Sequence, residues 1–139
     1  MSKKAEISAA CCALALLLCI ALSRPTPEKR VARYVAAHQS ELQSSMDDYF
    51  NRNRPLSHDG ASSAVNHWPG EHPMVEYILF TDSGYCGFYY SPDDVPLAFQ
   101  NVPVPLEETS TGWQWQAEGD DHGFTRRLSP HWYYFESHF

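Results

Sequence analysis

The sequence is short of cysteine, of lysine and of catalytic motifs, and each shortage narrows what the chain can be. Of four cysteines in 139 residues, Cys11, Cys12 and Cys19 fall in one apolar run and only Cys86 lies beyond it. No intrachain disulfide can form after residue 23, so packing must supply the stability that small exported domains often take from cross-links. Cys86 sits in an aromatic stretch, which suits burial as a small hydrophobe. A catalytic thiolate needs a partnering His and a polarising environment that the local sequence lacks. No lysine follows Lys29. From Pro55 onward two basic residues, Arg126 and Arg127, stand against twelve acids, a balance that repels phosphate backbones and argues against nucleic acid as a partner. Glycine-rich phosphate loops, serine-hydrolase elbows, zinc-protease helices and redox Cys pairs are missing, and no cofactor is expected.

What is present begins with residues 7–22, ISAACCALALLLCIAL, an uncharged run behind Met1, Lys3 and Lys4. A basic stretch followed by an apolar one is the layout of a secretory signal or membrane anchor, here residues 1–23. Ala21 and Ser23 are small residues two apart, which permits cleavage near Ser23. As a spanning helix the run is short, because a hydrocarbon core of ~30 Å takes about 20 residues. A lipid anchor on Cys19 is disfavoured by Leu18, where a small residue is needed. These features place the chain at the cell membrane as a single-pass protein touching the bilayer through residues 5–23, or as a protein secreted after cleavage. Arg24, Lys29, Arg30 and Arg33 follow the run and pull toward a cytoplasmic domain. The short basic start and the cleavage-like motif favour an extracytoplasmic one. Just beyond a membrane segment, those four residues can also meet anionic headgroups at ~1 kcal/mol each.

Residues 24–139 suit one domain. Within 24–54, Thr26, Pro27 and Glu28 read as a helix start, and Val31, Val35, His38, Leu42, Met46, Tyr49 and Phe50 recur at three- and four-residue steps as one apolar stripe. Pro55 biases Arg54 away from helix. Residues 55–73 are rich in Ser, Gly, His and Pro without period and read as a loop. Residues 74–139 read as an aromatic-rich antiparallel sheet, with strands at 75–81, 85–91, 113–117, 124–128 and 132–139 and turns at 82–84 and 119–123. Prolines at 92, 96, 103 and 105 mark an edge or an extended crossover. The predicted fold class is α+β: one long amphipathic helix packed on an antiparallel sheet of about five strands, preceded by a single signal or anchor helix. Trp113, Trp115 and Ala117 alternate with glutamines, which puts both indoles on one face. Sixteen aromatic rings from Pro55 onward exceed what one thin core must hold, so core packing competes with an exposed aromatic patch.

Candidate chemistry is sparse. His58, His67 and His72 in the long loop, with Asp59 and Glu71 beside them, are metal-ligand types, but a Pro- and Gly-broken segment does not present them together. His122 with Asp120 and Asp121 offers an acid and a base on a turn. Paired acids at 47–48, 93–94, 107–108 and 120–121 lack the alternating ladder of a calcium loop. Arg126 and Arg127 are strand neighbours and point to opposite faces; a buried one needs a carboxylate, for which Glu118 or Glu136 is the predicted partner. Trp113, Trp115, Arg126 and Arg127 are the candidate interaction residues.

GFYYSPDDVPLAFQ (87–100), GWQW (112–115), DDHGFTRR (120–127) and HWYYFESHF (131–139) resemble the series that closes certain small, singly membrane-anchored bacterial proteins of no assigned function. The resemblance covers about residues 75–139. It implies a bacterial, membrane-associated domain and brings no activity, catalytic residue or partner. The expected function is a membrane-tethered or secreted, non-catalytic binding module of the cell envelope that meets another protein or an envelope component. The alternatives are a small metal-dependent hydrolase using His67, His72 or His122, and a pilin-like subunit, whose continuous helix Pro25 and Pro27 oppose.

Overall fold

The computed structural model describes residues 11–15, 24–57, 60–81 and 84–139. Residues 11–15 are helical, while most of the apolar run and its cleavage-like end lie outside the described residues. Among the described residues, no helix is long and apolar enough to cross a membrane.

Helix α1 spans Pro27–Arg52. Thr26 starts it: its hydroxyl accepts from the Lys29 N–H at 3.3 Å, Pro27 has no N–H to leave unpaired, and Glu28 sits at the positive end of the dipole. Asn53 ends it in a left-handed conformation (φ 52°), and the Asp48 carboxylate holds Arg52 at 2.6 Å and Arg54 at 3.1 Å across that end. Val31, Val35, Leu42 and Met46 form the buried stripe, and His38, Tyr49 and Phe50 flank it half-buried.

Among the described residues, seven strands, two more than the sequence pattern indicates, make one antiparallel sheet: β1 (Ala64–Trp68), β2 (Met74–Phe80), β3 (Tyr85–Tyr90), β4 (Glu107–Glu108), β5 (Trp113–Gln116), β6 (His122–Ser129) and β7 (Trp132–His138). Their order is β1-β2-β3-β7-β6-β5-β4, so the chain builds one meander, jumps to the far edge and returns to pair β7 with β3. Both extra strands correct the predicted layout. β1 lies inside the stretch read as loop, where Ala64, Asn66 and Trp68 pair with Ile78, Glu76 and Met74. β4 is two exposed glutamates paired with β5.

The jump explains the prolines. Residues 91–106 cross the sheet face opposite α1, so the sheet is covered on both sides and has two cores. Under α1 lie Val75, Tyr77, Phe88, Tyr90, Trp132 and Tyr134; under the crossover lie Met74, Ile78, Tyr89, Tyr133, Phe135 and Trp115, capped by Ala98 and Phe99. The single shared core expected from the sequence is therefore two. A strand covered on both faces reads as a continuous apolar run, which is why GFYY and WYYF show no alternation. Much of the surplus of aromatic rings is absorbed by the second core, while Tyr85 and Phe139 stay exposed.

Candidate functional site

Alternation along β5 fixes which side each residue of the paired-Trp segment takes. Trp113 and Trp115 face the crossover, as the sequence pattern indicates for two indoles on one face: Trp115 is 5 % exposed, and the Trp113 ring is centred 6.3 Å from that of Tyr133. Gln114 and Gln116 must then face the helix side. There they stay exposed, because α1 lies over β3 and β7 and stops short of β4 and β5.

The register extends this open area into two rows, since directly paired residues share a face. One row runs Glu107, Gln114, Phe124, Glu136, Cys86; the other runs Gln116, His122, His138. The Gln114 amide donates to Glu107 at 3.0 Å, and that of Gln116 donates to the carbonyls of Gly119 (3.3 Å) and Asp121 (3.1 Å). His122 meets the Asp120 carbonyl through Nδ1 at 2.6 Å and stacks on His138 with ring centres 5.2 Å apart. A shallow hollow of about 350 Å³ opens at this edge, lined by Pro105, Glu107, Gln114, Trp115, Gln116, His122 and Gly123. The sequence offers Glu107 only as one of the paired acids and gives no reason to choose Gln114, Gln116 or His138; the W-Q-W-Q alternation is the available signal, but where the helix stops is not local information.

A second hollow of about 420 Å³ at the other end of β5 and β6 brings together three of the four interaction candidates, Trp113, Arg126 and Arg127, with Thr109, Thr111 and Glu108. The arginines are not free to bind an anion there. Arg126 pairs with Glu28 of α1 and donates through Nε to the Thr111 carbonyl at 2.6 Å; Arg127 pairs with Asp94. Glu118 and Glu136 are therefore not the partners. Arg126 shares the helix-side face and reaches the first turn of α1, whereas Arg127 points to the crossover. Asp94 also accepts from the His131 N–H at 2.8 Å and the Tyr133 hydroxyl at 3.1 Å. Partial burial raises its pKa, and these hydrogen bonds together with Arg127 outweigh that and hold it below the usual carboxylate value. With both arginines paired, the open half of the sheet has no unpaired Lys or Arg among the described residues and carries the charge of Glu107, Asp120, Asp121 and Glu136.

The histidines considered for metal binding do not converge. His67 lies on β1 and meets the Tyr49 hydroxyl at 2.7 Å; His72 meets Asp93 at 2.9 Å; His58 lies outside the described residues. Among the described residues, no group of three or more His, Cys, Asp or Glu is placed to hold a metal ion. Cys86 is half-buried with its sulfur 3.5 Å from the Tyr134 hydroxyl, which donates to Glu136 at 2.8 Å. Burial raises the Cys86 pKa and Glu136 adds to it, so at neutral pH it is a thiol and a poor nucleophile. A cleft of about 470 Å³ lies between α1 and Ser57, Gly60 and Ala61 and is lined by Tyr34, His38, Glu41, Ser45 and Tyr77; His38 is committed to the Tyr34 carbonyl at 2.9 Å and to that ring. What the open sheet face offers is hydrogen-bonding carboxamides and negative charge on rigid strands. The chain matches no protein-family model, and no curated protein or solved structure matches it.

Proposed function

We propose that this is a non-catalytic binding module held at a bacterial cell membrane by residues 5–23, with its folded domain on the extracytoplasmic side, and that the open half of the sheet recognises a protein or envelope component. One observation carries the reading: α1 covers only part of its sheet face and leaves Glu107, Gln114, Gln116 and His122 as an exposed polar row on paired strands. Carboxamides fixed by the backbone and by one another lose little freedom on binding, which suits a recognition surface. The unbalanced carboxylates select a basic partner. The hydrolase alternative is less well supported, since His67, His72 and His122 each face a different partner. The pilin alternative meets a break at residues 24–26, which are not helical.

The test uses the full chain in membranes with a photo-crosslinking residue at position 116 or, as a control, at exposed position 41 on α1. A discrete adduct from 116 and not from 41, lost when Glu107→Lys and Gln114→Lys reverse the charge of the row while the circular dichroism is unchanged, is the expected result. An absent adduct, or one indifferent to the charge reversal, overturns the reading.

A further inference from the structure

The first turn of α1 and one end of the sheet form a common surface. Pro27 and Arg30 line a small hollow of about 130 Å³ together with Phe80, Gly84, Tyr85 and Cys86, so the residues that follow the apolar run emerge beside the β2–β3 connection and the end of β7. Two things distinguish this end. Phe139 is 61 % and Tyr85 37 % exposed, and they are not scattered: their ring centres are 5.6 Å apart, and both rest on the buried Phe99 at 5.8 and 5.2 Å. Arg30 lines the hollow with Tyr85, and around it in the chain Arg24, Lys29 and Arg33 are exposed and have no carboxylate partner among the described residues. The Arg30 guanidinium lies over the Phe80 ring, 4.1 Å from its centre. In a chain of net charge −7, four of the ten Lys and Arg residues fall within residues 24–33.

Exposed aromatic rings beside unpaired cations, at the point where an apolar run enters the domain, match the chemistry of a bilayer interface, where rings sit at headgroup level and Lys and Arg meet lipid phosphates. We propose that this end of the domain rests on an anionic phospholipid surface, with Phe139 and Tyr85 entering the interface and Arg24, Lys29 and Arg33 on the headgroups. This rests on the membrane-held reading above and adds to it an orientation: α1 starts at the lipid. Arg24, Lys29 and Arg33 act on the lipid, and the Glu107, Gln114 and Gln116 part of the open face is left for the partner.

The full chain is reconstituted in nanodiscs of phosphatidylcholine alone or mixed with phosphatidylglycerol, and backbone hydrogen exchange is followed. Amides of residues 84–86 and 134–139 should exchange roughly tenfold more slowly in the anionic discs, while those of β5 are unchanged. The protection should be lost in a Tyr85→Ser, Phe139→Ser, Arg24→Gln, Lys29→Gln, Arg33→Gln variant of unaltered circular dichroism. Equal exchange in the two kinds of disc, or protection that survives in the variant, overturns the lipid contact while leaving the tether intact. A chain that does not enter the discs at all overturns both. Protection in native membranes but in neither disc assigns this end to a protein and overturns the lipid assignment.

Discussion

The two sides of the sheet are covered by different kinds of structure, and the buried polar residues follow the difference. α1 satisfies its own backbone, so the core beneath it is built of Val31, Val35, Leu42 and Met46 on the rings of β2, β3 and β7. The crossover on the other side has only one 3-10 turn, Phe99–Asn101, and its backbone must bond elsewhere. The sheet supplies the partners. The Tyr89 hydroxyl accepts from the Leu97 N–H at 2.8 Å and, because Thr125 donates to the Tyr134 carbonyl, itself donates to Thr125 at 2.8 Å. Ser91 accepts from Val95, and Tyr133 donates to the Asp94 carbonyl at 2.9 Å. Glu76, fully buried, takes the Gln100 N–H at 3.0 Å and the Trp68 indole N–H at 3.1 Å, holding Gln100 and Asn101 at positive φ. Irregular cover thus requires polar anchors inside a core, and regular cover does not.

The largest effect should come from removing the sheet that both sides share. A Cβ on Gly87 would fall inside the van der Waals radius of the Tyr77 carbonyl oxygen and press on the Phe135 ring, and neither backbone can move without parting β2 from β3. Gly87→Ala should destabilise by more than about 3 kcal/mol in urea unfolding and open both cores together. Loss of only one core would show the two to be independent.

The comparison itself is tested by one substitution on each side. Leu42→Ala should cost about 3 kcal/mol as a cavity and leave hydrogen exchange of residues 97–101 unchanged relative to global unfolding. Glu76→Gln keeps one acceptor but turns an amide N–H toward a donor, and should cost about 1–2 kcal/mol at pH 5 with selective loss of protection at Gln100. Burial raises the Glu76 pKa above 4.5, with the Gln100 and Trp68 bonds opposing. Between the unfolded and folded values the native state binds more protons, so this contribution is largest at low pH and falls as pH rises through that window. The wild-type advantage over Glu76→Gln should therefore shrink from pH 5 to pH 7.5; a growing gap would falsify the assignment.

Legibility in the sequence tracks how local each cause is. α1 is visible because cap, stripe and stop are all within it, and β3 and β7 because burial on both faces leaves no polar residue to break GFYY and WYYF. β1 reads as loop because AVNHW is a half-exposed edge whose strand character comes from pairing with β2. β4 has no intrinsic signal at all, since two adjacent glutamates are poor strand formers. The open face was half legible: W-Q-W-Q puts indoles on one side and amides on the other, but which side the helix leaves bare depends on contacts between residues far apart in the chain. For the same reason the Arg126–Glu28 pair, 98 residues apart, is invisible in the sequence.

The smallest effect is expected where an anchor of the crossover is only half-buried. Asp94 has φ 54°, a conformation that Asn tolerates, so Asp94→Asn leaves the turn intact and removes only the charge that Arg127, the His131 N–H and the Tyr133 hydroxyl share. Burial pushes the Tyr133 phenol up to about 12, with Asp94 adding to it, so the phenol stays a donor at every pH at which the domain is handled. Because the folded pKa of Asp94 lies below its ordinary 3.8, the stability it provides is present above that value and is lost as pH falls through the folded pKa. The thermal midpoint of Asp94→Asn should fall below wild type at pH 7, and the gap should close toward pH 3, opposite in sign to the Glu76 series. Two carboxylates under one crossover with opposite pH dependences follow from where each sits: Glu76 is enclosed with neutral donors, Asp94 is half in solvent beside a guanidinium.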